Sequence, residues 1–231
     1  MFTDSMHAIE ALIRCIAMGE RCREVPTAET PIIMTVSTAA GAGGKEVAQR
    51  LAERLQVGFF DKHILNAVAE ETHTDRQVLE RLDERVDGMK GAWLRSLLTG
   101  ENLFRDTFRR NLINVILGIG CKGGVILGRG ANFILAHRPV LRIRVVGSAE
   151  RCAQRIAKEQ GITLSAAHKI VQDTDRDRAE FIRTFYRRQI DDPLGYDLVV
   201  NSDRLADEGI ADIALLALER IRCTAPEPIE S

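Results

Sequence analysis

The apolar residues of this chain form two kinds of pattern, which alternate from one end to the other. Between short apolar runs, the apolar residues recur every three or four positions, which predicts amphipathic helices. The runs have the length of buried strands in a parallel sheet and occupy residues 32–37, 57–61, 124–127, 140–146 and 196–201. Strands that alternate with helices indicate an α/β fold, so we expect a parallel five-stranded sheet with helices on both faces.

The helical patterns divide the chain into segments. Residues 6–18 predict an amphipathic helix, which either forms a dimerisation arm or lies on the core. Residues 62–120 are predicted to be mostly helical, and Ser148 is expected to cap the helix that follows the fourth strand. Two further helices are expected at 165–175 and 177–189. An N-terminal helix with its linker, a main domain and a frayed tail are thus expected at residues 1–30, 31–223 and 224–231.

Composition narrows the range of functions. The chain has 231 residues, 45% of them hydrophobic, which is enough to bury the core of one domain. Its formal net charge is −1, so no global basic field points to nucleic acid. The apolar runs are too short to span a bilayer, and no basic region typical of a signal peptide opens the chain. We therefore expect a cytoplasmic protein with neither nucleic acid nor a membrane as a partner.

The five cysteines are scattered and include no C-x-x-C pair. This spacing is typical of reduced thiols rather than of a disulfide framework or a zinc site. The five histidines likewise lack the spacing of metal ligands. The sequence therefore does not identify the ligands of any bound metal ion.

A glycine-rich segment follows the first predicted strand. It reads Thr-Ala-Ala-Gly-Ala-Gly-Gly-Lys-Glu over residues 38–46 and leads into a predicted helix. A strand, a glycine loop and a helix N-terminus together form a phosphate site, because successive backbone N–H groups converge on the anion. A tight turn without a ligand has the same local sequence, so the loop alone leaves both interpretations open.

Four segments in a fixed order carry a resemblance to a known family. They are the glycine loop with its following residues (41–48), an aromatic–Asp strand end (59–61), a strand ending in Gly-Arg (125–129), and an Asp/Arg stretch followed by a Tyr-Asp strand (175–178 and 196–201). From Ile32 to Asn201 the chain resembles the cytidylate kinases, and more narrowly their cytidylate-kinase-like branch. This resemblance implies the fold of the P-loop nucleoside monophosphate kinases.

The resemblance also implies a function. It implies a phosphotransferase that uses ATP and Mg²⁺ and moves the γ-phosphoryl group to CMP or to a similar phosphorylated small acceptor. Residues 62–120 would then form a helical acceptor subdomain, and residues 161–190 a lid that closes over both substrates. The expected partner is a small-molecule nucleotide, and the N-terminal helix leaves room for a homodimer.

The matching segments supply the candidate site residues. Lys45, Asp61, Arg176 and Arg178 are the catalytic candidates, the two arginines being expected to reach the transferred phosphoryl group. The loop residues expected to bind the nucleotide are Gly41, Ala42, Gly43, Gly44, Lys45 and Glu46.

Arginines and one carboxylate are the candidates for binding the acceptor. Arg129 is expected to hold the acceptor phosphate with two hydrogen bonds, and Asp61 to lie near that phosphate or Mg²⁺. Arg183 and Arg187 are further candidates from the predicted lid. A charged and solvated helix face remains the ordinary explanation for such a run of arginines.

The loop departs from the usual P-loop sequence G-x-x-x-x-G-K-[GST]. Aligned without a gap, Gly44 stands where the lysine is expected, and Glu46 stands near the hydroxyl residue. The other register keeps Gly44 and Lys45 together but puts Ala39 in place of the first glycine. A nucleotide-binding regulatory module with the same fold and without the chemistry therefore stays open beside the kinase. A Rossmann-type dinucleotide binder is disfavoured, because the loop lacks G-x-G-x-x-G.

Overall fold

The computed structural model describes residues 31–61 and 102–223. The predictions for residues 1–30, for residues 62–101 of the expected acceptor subdomain and for the tail 224–231 lie outside the described residues. Within the described ranges, strands and helices alternate along the chain.

A five-stranded parallel sheet forms the centre of the fold, as the apolar runs predicted. The strands are β1 (Ile33–Thr38), β2 (Phe59–Phe60), β3 (Gly124–Leu127), β4 (Leu141–Val146) and β5 (Leu198–Asn201). Their order is β2-β3-β1-β4-β5, and all neighbours pair in parallel. From β1 the chain runs to β2 and β3 on one side of β1, and then crosses to β4 and β5 on the other. The carboxyl end of β1 is therefore the crevice at which open parallel sheets bind ligands.

Six α-helices are seen in the described part of the chain. They are α1 (Gly44–Leu55), α2 (Asn102–Lys122), α3 (Ala131–Ile134), α4 (Ala149–Gln160), α5 (Leu164–Tyr186) and α6 (Asp207–Cys223), and a 3₁₀ turn covers Pro193–Gly195. The predicted cap at Ser148 is confirmed, because its side chain accepts a hydrogen bond from the N–H of Arg151.

The prediction of two helices between residues 165 and 189 is wrong. A single continuous helix, α5, runs through this region for 23 residues. No glycine or proline interrupts the helix, so its backbone hydrogen bonds continue through the acidic residues at its centre. The helix ends where Arg187 adopts the left-handed conformation, with φ of 54°.

The two faces of the sheet pack into separate apolar clusters. On one face, β1, β3 and β4 contact α1, α4 and α6 through fully buried residues such as Leu51, Ile143 and Ile210. On the other face, β1, β2 and β3 contact α2 and α3 through residues such as Ile116 and Leu135. Both faces of the sheet are thus covered, as the fold-class prediction required.

Helix α5 belongs to both clusters. Ala167 and Val171 in its first half are buried in the cluster with α1, α4 and α6. Phe181, Ile182 and Phe185 in its second half are buried in the cluster with α2 and α3. The middle of α5 therefore crosses the carboxyl edge of the sheet, close to the end of β1.

The cysteine prediction holds only in part. Cys152 is a free and buried thiol, and burial raises its pKa. Cys121 is disulfide-bonded, so the expectation of reduced thiols throughout is wrong for that residue. Across residues 31–61 and 102–223, none of the helices combines the length and the apolar content needed to cross a bilayer.

We expect the buried face of α1 to dominate its contribution to stability. Leu51 is fully buried, so Leu51→Ala should lower the free energy of unfolding by about 2–5 kcal/mol through lost contacts and a residual cavity. Leu216 on α6 is 56% exposed, and Leu216→Ala should change that free energy by about 0.5 kcal/mol or less. Urea denaturation followed by circular dichroism measures both values. Equal losses in the two variants would contradict the packing of α1 against the sheet.

Candidate active site

The loop after β1 is a tight turn that leads into a helix N-terminus. The N–H of Ala42 donates to the carbonyl oxygen of Ala39 at 3.1 Å, which closes the turn. Gly41 and Gly43 have φ of 73° and 79°, a region that favours glycine. A β-carbon on Gly41 would also lie 2.5 Å from the carbonyl oxygen of Cys152 in α4. Left-handed residues in a turn before a helix are the backbone conformation from which anion-binding nests are built.

The start of α1 shows which residues of the loop segment are helical. Gly43 is the N-cap of α1, so Gly44 is the first helical residue and Lys45 the second. A β-carbon on Gly44 would overlap the side chain of Thr38. Position 44 therefore has no room for a lysine side chain, whichever of the two registers is used.

Lys45 and Glu46 both have exposed side chains. A carboxylate oxygen of Glu46, Oε2, lies 3.9 Å from the position that a β-carbon on Gly43 would occupy. The Glu46 carboxylate thus lies beside the last residue of the loop. Its negative charge opposes a nucleotide phosphate there unless a cation lies between them.

Two residues from the middle of α5 bind the loop directly. A carboxylate oxygen of Asp175 accepts a hydrogen bond from the N–H of Ala40 at 2.8 Å. A guanidinium nitrogen of Arg178 donates to the carbonyl oxygen of Thr38 at 2.7 Å. The carboxylate and the guanidinium are themselves 3.7 Å apart. The predicted lid helix therefore contacts the loop through one acid and one arginine.

Arg155 in α4 anchors the loop from behind. Its guanidinium donates to the carbonyl oxygen of Gly41 at 3.2 Å, and also to the hydroxyl and the carbonyl oxygen of Ser202 after β5. These bonds tie the loop to the end of an edge strand. Because a charged donor makes stronger hydrogen bonds than a neutral one, Arg155 helps to hold the loop in one conformation.

Arg129 lies in a left-handed turn at the end of β3. Gly128, Arg129 and Gly130 have φ of 78°, 57° and 71° in succession. For arginine this conformation costs about 1–2 kcal/mol, and such outliers cluster at functional sites. The hydroxyl of Tyr186 in α5 donates to the carbonyl oxygen of Arg129 at 2.6 Å and so stabilises the turn.

The guanidinium of Arg129 lies among aromatic rings and other charges. Its carbon atom Cζ is 5.9 Å from the centre of the Phe181 ring. Burial is the main cause that lowers the pKa of Arg129, and the nearby charge of Arg178 lowers it further. The negative charge of Asp61 acts in the opposite direction. Burial likewise lowers the pKa of Arg178. The two guanidinium groups are therefore partly desolvated neighbours.

Asp61 follows β2 and has an unsatisfied carboxylate. Its Oδ1 is buried and has no hydrogen-bond partner among the described residues. A buried carboxylate oxygen without a partner is costly, and it indicates a missing donor or cation. The attraction between Asp61 and Arg129 places this carboxylate at the same edge of the sheet.

The structure separates the remaining predicted arginines from the loop. Arg176 pairs with Asp173 at 2.8 Å, and 61% of its side chain is exposed. Arg183 lies 3.9 Å from Glu180 and is 76% exposed, and Arg187 is exposed beyond the end of α5. The catalytic and substrate roles predicted for these three residues stay predictions, and the structure brings Arg129, Arg178 and Asp61 together instead.

Sequence reasoning missed Asp175, Arg155 and Arg144 as site residues. Asp175 was part of the matching Asp/Arg stretch, but no pattern indicated that it would accept a hydrogen bond from the loop. Arg144 gave the clearest signal, because it interrupts the apolar run of β4 and its strand has a neighbour on both sides in the sheet. A charged residue in a buried strand is rare unless it is paired or functional.

No group of three or more potential metal ligands is found in the part of the chain that the structure describes. Mg²⁺ at phosphotransfer sites is held by one or two carboxylates together with the substrate phosphates. The unsatisfied oxygen of Asp61 and the carboxylate of Glu46 beside the loop fit that requirement.

A model of the cytidylate kinase-like family matches residues 33–204 of this chain. The matched range begins with β1 and ends after β5, so it includes the loop, Asp61, Arg129 and the whole of α5. None of the curated proteins matches the chain.

Solved structures share the fold at low sequence identity. An uncharacterized protein from Eubacterium ventriosum aligns over 81% of this chain and 98% of its own, with 17% identity and a TM-score of 0.60. A gluconokinase from Sinorhizobium meliloti aligns over 84% and 95%, with 16% identity and a TM-score of 0.50. A Thermus thermophilus protein aligns over 85% and 100%, with 19% identity and a TM-score of 0.50. These likenesses show a common fold.

We expect Gly44 to tolerate no side chain. An alanine in a helix is normally more stable than a glycine by about 0.5–1 kcal/mol. Because the added β-carbon would overlap Thr38, Gly44→Ala should instead lower the free energy of unfolding by about 1–3 kcal/mol. Lys45→Ala is the matched control, since Lys45 is exposed and the change should be about 0.5 kcal/mol or less. Urea denaturation measures both, and a stabilised Gly44→Ala variant would contradict the contact with Thr38.

Proposed function

The chain belongs to the cytidylate kinase-like family, and we propose that it transfers the γ-phosphoryl group of ATP to CMP or to a similar phosphorylated small acceptor. One observation supports the proposal: the glycine-rich loop after β1 and two partly desolvated arginines, Arg129 and Arg178, lie together at the carboxyl edge of the sheet. Phosphoryl transfer depends mainly on positioning and on neutralising negative charge, and this arrangement supplies both.

Arg178 provides a cation at the base of the loop. Position 44 cannot hold a lysine side chain, because Thr38 fills the space. The guanidinium of Arg178 instead reaches the carbonyl oxygen of Thr38 at the base of the loop. An arginine keeps its charge inside proteins and offers several donors in one plane, which suits phosphate oxygens.

Arg129 and Asp61 lie at the ends of β3 and β2, on the side of the loop where an acceptor would bind. Arg129 would bind the acceptor phosphate. Asp61, with its unsatisfied oxygen, would accept a hydrogen bond from the acceptor or help to hold Mg²⁺. Bound Mg²⁺ would supply neutralisation of the β- and γ-phosphate charge.

A second candidate function is supported by the acids at the loop. The Asp175 carboxylate already accepts a hydrogen bond from the N–H of Ala40, and the Glu46 carboxylate lies beside Gly43. Both charges oppose a triphosphate in the nest. A nucleotide-binding regulatory module without efficient turnover would have the same fold and the same contacts.

A coupled assay of ADP release tests the kinase proposal. Purified protein with ATP and Mg²⁺ should turn over one of the nucleoside monophosphates, with CMP as the first choice. Arg129→Ala and Arg178→Ala should each lower kcat/KM about 100-fold, because each removes a charged group near the phosphates. Lys169→Ala is the matched control on α5, since that side chain is exposed and no role in the site is assigned to it, and it should leave kcat/KM unchanged.

Two results would overturn these assignments. Turnover on CMP that survives Arg129→Ala would refute the assigned acceptor site. Measurable ATP binding without turnover on any monophosphate would favour the regulatory module over the kinase.

We expect Asp175 to limit nucleotide affinity. Asp175→Asn removes one negative charge from the loop and keeps an oxygen that can accept the hydrogen bond from Ala40. Removing about 1 kcal/mol of repulsion should tighten ATP binding about fivefold in isothermal titration calorimetry. Asp173→Asn is the control, because Asp173 pairs with Arg176 away from the loop. Weaker ATP binding by Asp175→Asn would show that the charge itself supports the site.

A further inference from the structure

Arg144 is a buried arginine on a strand that is paired on both sides. It lies on β4, where 6% of the residue is exposed, and it pairs in register with Ser37 on β1. Its neighbours Ile143 and Val145 face the apolar cluster of the opposite side. A buried cation lowers stability unless its partners compensate, so an apolar residue would serve the packing of β4 better.

The described partners of Arg144 compensate its charge only weakly. One guanidinium nitrogen donates to the hydroxyl of Ser37 at 2.9 Å, and the guanidinium carbon lies 5.7 Å from the centre of the Tyr196 ring. The other nitrogen pairs with Asp191 at 2.6 Å. The Asp191 side chain is 81% exposed, so water screens its charge.

Arg144 and Arg178 donate hydrogen bonds to consecutive residues at the end of β1. Arg144 donates to the hydroxyl of Ser37, and Arg178 donates to the carbonyl oxygen of Thr38. Burial is the main cause that lowers the pKa of Arg178, the charge of Asp175 raises it, and the charge of Arg144 lowers it. The two guanidinium charges repel each other, and an anion bound by both would reduce that repulsion further than Asp175, 3.7 Å from Arg178, does alone.

We propose that Arg144, together with Arg178, binds phosphate oxygens at the end of β1, and that the ligand takes the place of the Asp191 carboxylate. The ion pair with Asp191 shows that an oxyanion can reach this face of the guanidinium. The inference rests on the proposed function for the identity of the anion as a nucleotide phosphate. It adds a phosphate-binding residue from β4 to the arginines that come from β3 and α5.

A structural role is the competing explanation. Arg144 also links β4 to the segment after α5, through Asp191 and the Tyr196 ring. In that case Arg144 serves to form the ion pair with Asp191, and removing the charge of either residue should have the same effect on pyrophosphate binding. If Arg144 binds phosphate, removing its charge should weaken ligand binding. Removing the charge of Asp191 should strengthen ligand binding, because Asp191 competes with the ligand.

Calorimetric titration of the full-length protein with inorganic pyrophosphate separates the two explanations. Arg144→Gln should weaken pyrophosphate binding about tenfold or more, because it removes charge-assisted hydrogen bonds. Asp191→Asn should tighten binding about threefold, because it removes a competing charge. Asp191 is exposed, so this variant tests the idea even if Arg144→Gln fails to fold.

Arg142→Gln is the matched control. Arg142 lies on β4 two residues before Arg144, and its guanidinium binds Asp197 with hydrogen bonds of 3.1 and 2.5 Å. Arg142→Gln should leave pyrophosphate affinity unchanged. Equal weakening by Arg144→Gln and Asp191→Asn would overturn the inference, as would unchanged affinity in Arg144→Gln or no binding by the unmodified protein. Pyrophosphate binding needs no turnover, so failure of the kinase assay leaves this test intact.

Discussion

The burial of α5 at both of its ends is the constraint on which the site depends. The helix inserts small residues into one apolar cluster and aromatic residues into the other, so it crosses the edge of the sheet and cannot slide along it. Its middle turn is therefore held against the loop after β1, where Asp175 and Arg178 make their hydrogen bonds. A segment with such anchors is fixed by packing rather than by the polar contacts at its centre.

The polar groups at this edge are collected from elements that are far apart in the sequence. Arginines from β3, β4 and α5 face carboxylates from β2, α5 and the segment before β5. Bringing like charges into a partly desolvated site costs stability, and the left-handed turn at Arg129 adds to that cost. The apolar clusters on both faces of the sheet offset these costs. A protein with this site therefore depends on its core to keep the site assembled.

The sequence was sufficient for the strands and the loop, because both are local patterns. The apolar runs located the strands to within two residues at each end, and Ser148 capped α4 as expected. The contacts across the site were not local. Asp175 binds an amide 135 residues away, and Arg144 binds a hydroxyl 107 residues away. Contacts at such separations cannot be predicted from the spacing of residues along the chain.

The choice between neighbouring arginines also required the fold. Arg176 and Arg178 both follow an aspartate in the matching stretch, and side chains turn by about 100° per residue on a helix. Arg178 consequently reaches the loop while Arg176 faces solvent. The rotation of α5 about its axis decides between them, and that rotation is set by Ala167, Phe181 and the other buried residues.

The packing of Thr38 against Gly44 has a consequence for attempts to redesign the loop. A lysine introduced at position 44 would overlap the threonine before the new side chain could reach a phosphate. A smaller residue at position 38 would have to accompany it. Positions 38 and 44 therefore behave as one unit, and a substitution at position 44 has to be made together with one at position 38.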